Sequence, residues 1–118
     1  MSGDPEFGSL EEGSGELPYP GVERRGFDSS HATVNKYVFG PHAEFPVHHH
    51  PQEQITLIEE GEVDVAVGGS SRRMSSGDWC VVPPEVEHSL IAGAEGAVIT
   101  AIITPARERT GAYTVVGD

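Results

Sequence analysis

The chain has 118 residues, of which 36% are hydrophobic, with 15 Gly, 9 Pro and a formal net charge of -12; that is enough for one domain and one core, not for a two-domain enzyme. Seven Lys plus Arg stand against 19 Asp plus Glu, which argues against binding nucleic acid or an anionic membrane face, since both need a basic surface. No apolar run approaches the roughly 20 residues of a spanning helix, so the expected partner is a small molecule.

Residues 1–21 read as a flexible tail. Asp4, Glu6, Glu11, Glu12 and Glu16 lie there among Gly, Ser and Pro. Such a stretch buries too little apolar area to offset its ordering entropy. Gly3 to Ser9 also resembles a cloning linker and receives no functional weight. Met1 is followed by Ser-Gly-Asp-Pro, not by the basic and then apolar regions of a secretory signal, so a cytoplasmic location is expected. Residues 22–118 are expected to form the folded domain.

Short β-rich runs then alternate with turns. Thr33 to Phe39 is the first, closed by Gly40-Pro41. Phe45 to His50 is extended, because Pro46 and Pro51 hold their neighbours out of helical geometry. Ile55 to Ile58 is expected to end in a tight turn at Glu60-Gly61. Val63 to Val67 alternates with a period of two, the mark of a half-buried strand. Gly68-Gly69 signals a hairpin. Arg72 to Met74 follows, and Ser76-Gly77-Asp78 turns the chain again. Trp79 to Val82 is a buried run stopped by Pro83-Pro84. His88 to Ala92 and Ala97 to Thr104 complete the set, with Tyr113 to Val116 as a possible edge strand. No window of about 11 residues has a helical period. Many short strands with turns every 8 to 12 residues predict an all-β sandwich or barrel.

The one cysteine, Cys80, rules out an internal disulfide framework. Its apolar neighbours predict a buried structural thiol, at ease in a reducing compartment. The six histidines carry more information. His48, His49 and His50 are consecutive, so on a strand His48 and His50 share one face and His49 takes the other. Gln54 begins the next strand, and His88 follows the Pro83-Pro84 turn. Three neutral imidazoles and a carbonyl oxygen suit Mn, Fe, Co, Ni or Zn and leave coordination positions open. The expected cofactor is therefore a divalent transition metal. His42, after a Gly-Pro turn, and His31 are read as loop residues.

Two segments resemble the paired motifs of the cupin family. Gly40 to Gln54, closing at Gly61, is similar to the first: a glycine, His-x-His, an acidic or amide residue and a final glycine. Gly77 to His88 is similar to the second: a glycine, five residues, a proline, then the histidine. The resemblance spans Ala32 to Thr104. It implies a small antiparallel jelly-roll barrel with a metal inside one mouth, held by His48, His50, Gln54 and His88. Gln54 stands where a glutamate ligand is usual, and Glu53 is the alternative ligand. Glu85 stands where the second motif has a glycine after its proline. The resemblance also implies a homodimer paired through sheets.

Within that family the segment is most similar to the short cupins of pectin and alginate breakdown, which promote ring opening of unsaturated uronates. Their last strand carries a catalytic acid, an aromatic residue and an arginine. Here those positions fall on Ala101, Ile103 and Arg107, so Arg107 alone matches. Alternation groups Ile99, Ala101 and Ile103 as an apolar wall, and Tyr37 with Phe39 is expected at the same mouth. Arg107 is the candidate clamp for a substrate carboxylate. Glu53 is the candidate base. The expected function is a metal-dependent enzyme, acting as a Lewis acid on a small carbonyl or hydroxy-acid substrate in isomerisation, cyclisation or elimination. A mononuclear iron dioxygenase and a non-enzymatic binding or sensor domain are the alternatives.

Overall fold

The β-branched runs do become strands, and the glycines decide where those strands bend rather than where they stop. The computed structural model describes residues 3–106 and 114–116. Nine strands lie among them: β1 Glu16–Tyr19, β2 Val22–Asp28, β3 Thr33–Phe39, β4 Glu44–His49, β5 Glu53–Val67, β6 Ser70–Ser75, β7 Trp79–Val82, β8 His88–Thr104 and β9 Thr114–Val115. They form one sheet in the order β1-β2-β3-β8-β4-β9, with β5 pairing β6, β7 and β8. Every pairing is antiparallel. The sheet closes on itself as the small all-β, jelly-roll-type barrel expected from the motifs.

Two expected boundaries are corrected. Ile55–Ile58 and Val63–Val67 are one strand, β5, with register shifts around Glu60 and Gly61. His88–Ala92 and Ala97–Thr104 are likewise one strand, β8. Gly61 and Gly96 explain why. Both have positive φ, 81° and 74°, and a Cβ on Gly61 would overlap the Gly96 carbonyl. Only glycine permits this close crossing, so the expected turn is a bulge that bends two continuous strands together.

The expected tail also ends earlier than residue 21. Residues 3–15 contain no strand, but Glu16–Tyr19 is β1 and pairs with β2. Tyr19 meets Phe45 edge-on at 4.8 Å between ring centroids. Arg25 Nη1 donates to the Leu10 and Gly13 carbonyls at 3.0 and 3.2 Å. One aromatic anchor and two backbone acceptors give this polar stretch contacts that its composition hides. At the other end, β9 covers part of the expected Tyr113–Val116 strand and pairs with His48 and His49 of β4. Tyr113 lies outside the described residues.

The core fills the barrel between β3, β4, β5, β6 and β8, with Phe39, Phe45, Ile58, Val63 and Ile99 almost fully buried. Burial alternates cleanly along β3, from Thr33 to Phe39. No helix occurs among the described residues, and none is long and apolar enough to cross a membrane.

Candidate metal centre

β4 and β8 bring the second-motif histidine to the first. Their register sets His48 directly opposite His88. His50 follows the end of β4, and the Glu85 N–H donates to its carbonyl at 2.8 Å, tying the two motifs together. Glu85 has φ 65°, the left-handed geometry that explains why glycine is usual there. Here its side chain reaches outward and meets His49 Nδ1 at 3.0 Å.

His48, His50 and His88 are all nearly inaccessible to solvent, at 4%, 1% and 2% exposure. One nitrogen from each ring lies within 4.8 Å of the others. Each Nδ1 is held by a backbone carbonyl: Pro46 O at 2.8 Å for His48, Gln52 O at 3.0 Å for His50 and Val86 O at 2.9 Å for His88. A carbonyl can only accept, so each Nδ1 carries the proton and each Nε2 carries the lone pair. Three neutral imidazoles locked in the ligating tautomer are what a divalent first-row metal requires.

Gln54 lies beside them. It is buried at 6% exposure, and its Oε1 lies 3.1 Å from His50 Nε2. Its Nε2 donates to Thr56 Oγ1 at 3.0 Å. Two lone-pair-bearing atoms face one another, an arrangement that a cation satisfies. Glu53, the alternative ligand and candidate base, is exposed on the opposite face of β5. Period-two alternation separates it from its neighbour, so it does not join the cluster. Arg107 lies outside the described residues.

Beside the histidines is a cavity of about 10 Å³, close to the room one water needs. Tyr37, Phe39, Ile99 and Ala101 line it together with His48 and Gln54, as the strand pattern predicted. Ile103 does not. It is fully buried, but its register partner is Gln54 itself, one step further along the barrel. Phe45, Thr56 and Leu90 also line the cavity and were missed. Thr56 and Leu90 sit two residues beyond Gln54 and His88, so alternation could have found them. Phe45 could not be found that way, because a register shift between Phe45 and His48 puts both on the inner face. Among the described residues no carboxylate lines this cavity, and Ala101, which does, pairs with Asn35 and Thr56.

Two titratable groups border the site. Burial pushes the Cys80 thiol up, and a hydrogen bond with Thr56 only partly offsets this. Burial pulls the Arg24 guanidinium down, but Tyr37 and Glu16 outweigh it and the net shift is upward.

The family model for the cupin domain matches residues 35–103, more than half of the chain. This chain is a cupin. Its fold is similar to an RmlC-like cupin from Shewanella frigidimarina, at 29% identity and a TM-score of 0.81, over 92% of this chain and 97% of that one. It is also similar to KdgF from a Halomonas species, at 23% identity and a TM-score of 0.81, over 89% of this chain and 97% of that one. A third likeness is to Bacillus subtilis oxalate decarboxylase, in a structure described for its Mn(II) centers, at 16% identity and a TM-score of 0.85. There the match covers 98% of this cupin but 34% of the larger chain. No curated protein matches in sequence.

Proposed function

We propose that this cupin is a metal-dependent enzyme acting on a small carbonyl or hydroxy-acid substrate, of the isomerase, cyclase or lyase type. The observation that carries the reading is the histidine triad, buried, converging and fixed in one tautomer by three backbone carbonyls. His48, His50, His88 and Gln54 would hold the ion. When bound, it supplies a Lewis acid that polarises a carbonyl, and a neutral Gln leaves it more positive than a Glu would. The chain itself excludes water: Phe39, Phe45, Leu90 and Ile99 wall the cavity. The Mn(II) centers described for oxalate decarboxylase support manganese as one candidate, beside iron, nickel, cobalt and zinc.

Elemental analysis of the native protein tests this directly. The expectation is about one divalent first-row ion per chain, with turnover lost on chelation and restored on add-back. Full turnover of the chelated protein on its substrate overturns the reading.

A second reading is a mononuclear iron dioxygenase. It is favoured by a cavity lining without a carboxylate among the described residues, because redox chemistry leans less on an acid–base pair. Iron in the native protein with oxygen uptake during turnover supports it, and zinc without oxygen uptake excludes it. Tight ligand binding with no turnover across carbonyl and hydroxy-acid substrates would instead favour a binding or sensor domain. The single thiol and lack of disulfides fit a cytoplasmic setting.

We also propose a homodimer through the outer face of the sheet. Pairing registers place Val81, Ile55, Ile102, Val34 and Phe27 in one row across β7, β5, β8, β3 and β2. Phe27, Val81 and the adjacent Trp79 are 52%, 43% and 65% exposed. An apolar row of this length is a surface that association would cover.

A further inference from the structure

Where the uronate strand pattern has its catalytic acid, the cavity wall has Ala101. A different group on the same wall offers a proton. Tyr37 is 7% exposed and lines the cavity with His48 and Gln54. Its ring is fixed between Phe39 and Phe45, at 6.2 and 5.7 Å between centroids, the second edge-on.

What surrounds its hydroxyl is unusual for a core tyrosine. The register sets Arg24 of β2 opposite Tyr37, and the phenol and Glu16 together hold the guanidinium pKa up against burial. Asn35 Nδ2 donates to the same oxygen at 3.4 Å. Gly26 holds that amide in place: it lies opposite Asn35 in register, and a Cβ there would collide with Asn35 Oδ1 and the Val34 carbonyl. Arginine can only donate, and so does the Asn35 Nδ2 group. The phenol oxygen therefore accepts from Asn35, with the Arg24 guanidinium, also a donor only, across the strand pair, and its own proton has to find an acceptor elsewhere. The same residue lines the cavity, whose volume of about 10 Å³ fits one oxygen-sized group.

We infer that Tyr37 is the proton donor of this site, delivering its phenolic proton to a substrate oxygen lodged between Tyr37 and Gln54. The O–H bond of Tyr37 breaks, a new O–H bond forms on the substrate's enolate or alkoxide oxygen, and the negative charge stays on the phenolate. Arg24 is a positioning residue that faces that charge. Its Nη1 is buried with no hydrogen-bond partner among the described residues, so the guanidinium has a donor in hand for the phenolate. Glu16 Oε1 accepts from Arg24 Nε at 2.9 Å and fixes the other edge of the group. Thus Glu16, in a segment whose composition reads as a flexible tail, orients the cation behind the donor. The substrate class follows: a compound that carries an oxyanion during reaction and presents it to an apolar wall.

This inference rests on the metal-enzyme reading above, and one experiment separates the two. The full chain is loaded with Co2+, and its visible bands are followed during titration with oxalate, a small chelator that offers oxyanions without being consumed. The wild type is expected to take up Co2+ and to shift its bands with oxalate. Tyr37→Phe is expected to bind Co2+ as the wild type does but oxalate about tenfold more weakly, the effect of one lost hydrogen bond to a charged group. Arg24→Met is expected to weaken oxalate several-fold, and Arg24→Lys to recover part of it, a rescue that a merely packing role would not show. Unchanged oxalate affinity in Tyr37→Phe overturns the inference and leaves the metal reading intact. Loss of Co2+ in Tyr37→Phe also overturns it, by assigning Tyr37 to the metal centre's integrity. A wild type that binds Co2+ and ignores oxalate overturns the inference alone, and one that binds no Co2+ overturns both.

Discussion

The two faces of the same strands carry the same residue types to opposite ends. On the inner face His48, His50 and Gln54 are buried, hydrogen-bonded and convergent. On the outer face, one residue away in each case, His49 is part-exposed against Glu85, and Glu53 is exposed. The difference is not chemical, since an exposed imidazole and a carboxylate are good ligands in themselves. It is a matter of pleat: a step of one residue exchanges the core for the solvent. Burial then does the rest, because the inner imidazoles find backbone carbonyls that fix their tautomers while the outer one meets a solvated carboxylate.

The sharpest way to break this contrast is to remove one histidine from each face. His48→Ala or His88→Ala should lower metal affinity beyond the roughly 100-fold that outer ligand partners reach. His49→Ala should leave it unchanged by isothermal titration. Equal losses from His48→Ala and His49→Ala would sink the face assignment. The next largest effect is on β5. Gln54→Ala should cost about tenfold or more in the same titration, whereas Glu53→Ala should cost nothing measurable; the reverse order would make Glu53 the ligand.

The outer face has its own test. Asp at Trp79 and Val81 together should convert a dimer to a monomer in light scattering, with metal affinity unchanged. A wild type already monomeric at micromolar concentration removes the dimer. The smallest effect concerns Cys80, which pairs with Thr56, packs against the core and is half-buried. Burial raises its pKa, so less thiolate is present near pH 8 and iodoacetamide should react several-fold more slowly than with free cysteine. Unfolding in guanidinium should abolish the difference. The sign for stability follows: the neutral thiol's contribution is complete below about pH 8.5, the unfolded value, and is lost as pH rises through the higher folded value. Alkylation as fast as free cysteine would place the thiol in solvent.

Much of this molecule was legible without coordinates because β-structure has a period of two and the candidate ligands obey it. Alternation separated His49 from its neighbours, put Gln54 on the inner face and grouped Tyr37 with Phe39 and Ile99 with Ala101. The paired motifs supplied the barrel. What failed was local wherever the period slipped. Phe45 reaches the cavity only through a register shift, and Gly61 bends a strand instead of ending it. The segment Glu16–Tyr19 looked too polar to order, because composition does not show that Tyr19 packs on Phe45 and Glu16 on Arg24.

The sequence by itself determined the all-β class, the identity of the three histidines and glutamine, and the absence of an acid at Ala101. These depend on residue type and short-range spacing. The tertiary structure decided what lies across from what: His48 opposite His88, Arg24 opposite Tyr37, Asn35 opposite Gly26. The first pair joins strands far apart in the chain, and the other two depend on the register of the β2–β3 hairpin, which the period within one strand does not reveal. The hydrogen bonds that fix each imidazole's proton, and that surround the Tyr37 hydroxyl, exist only once that register is made.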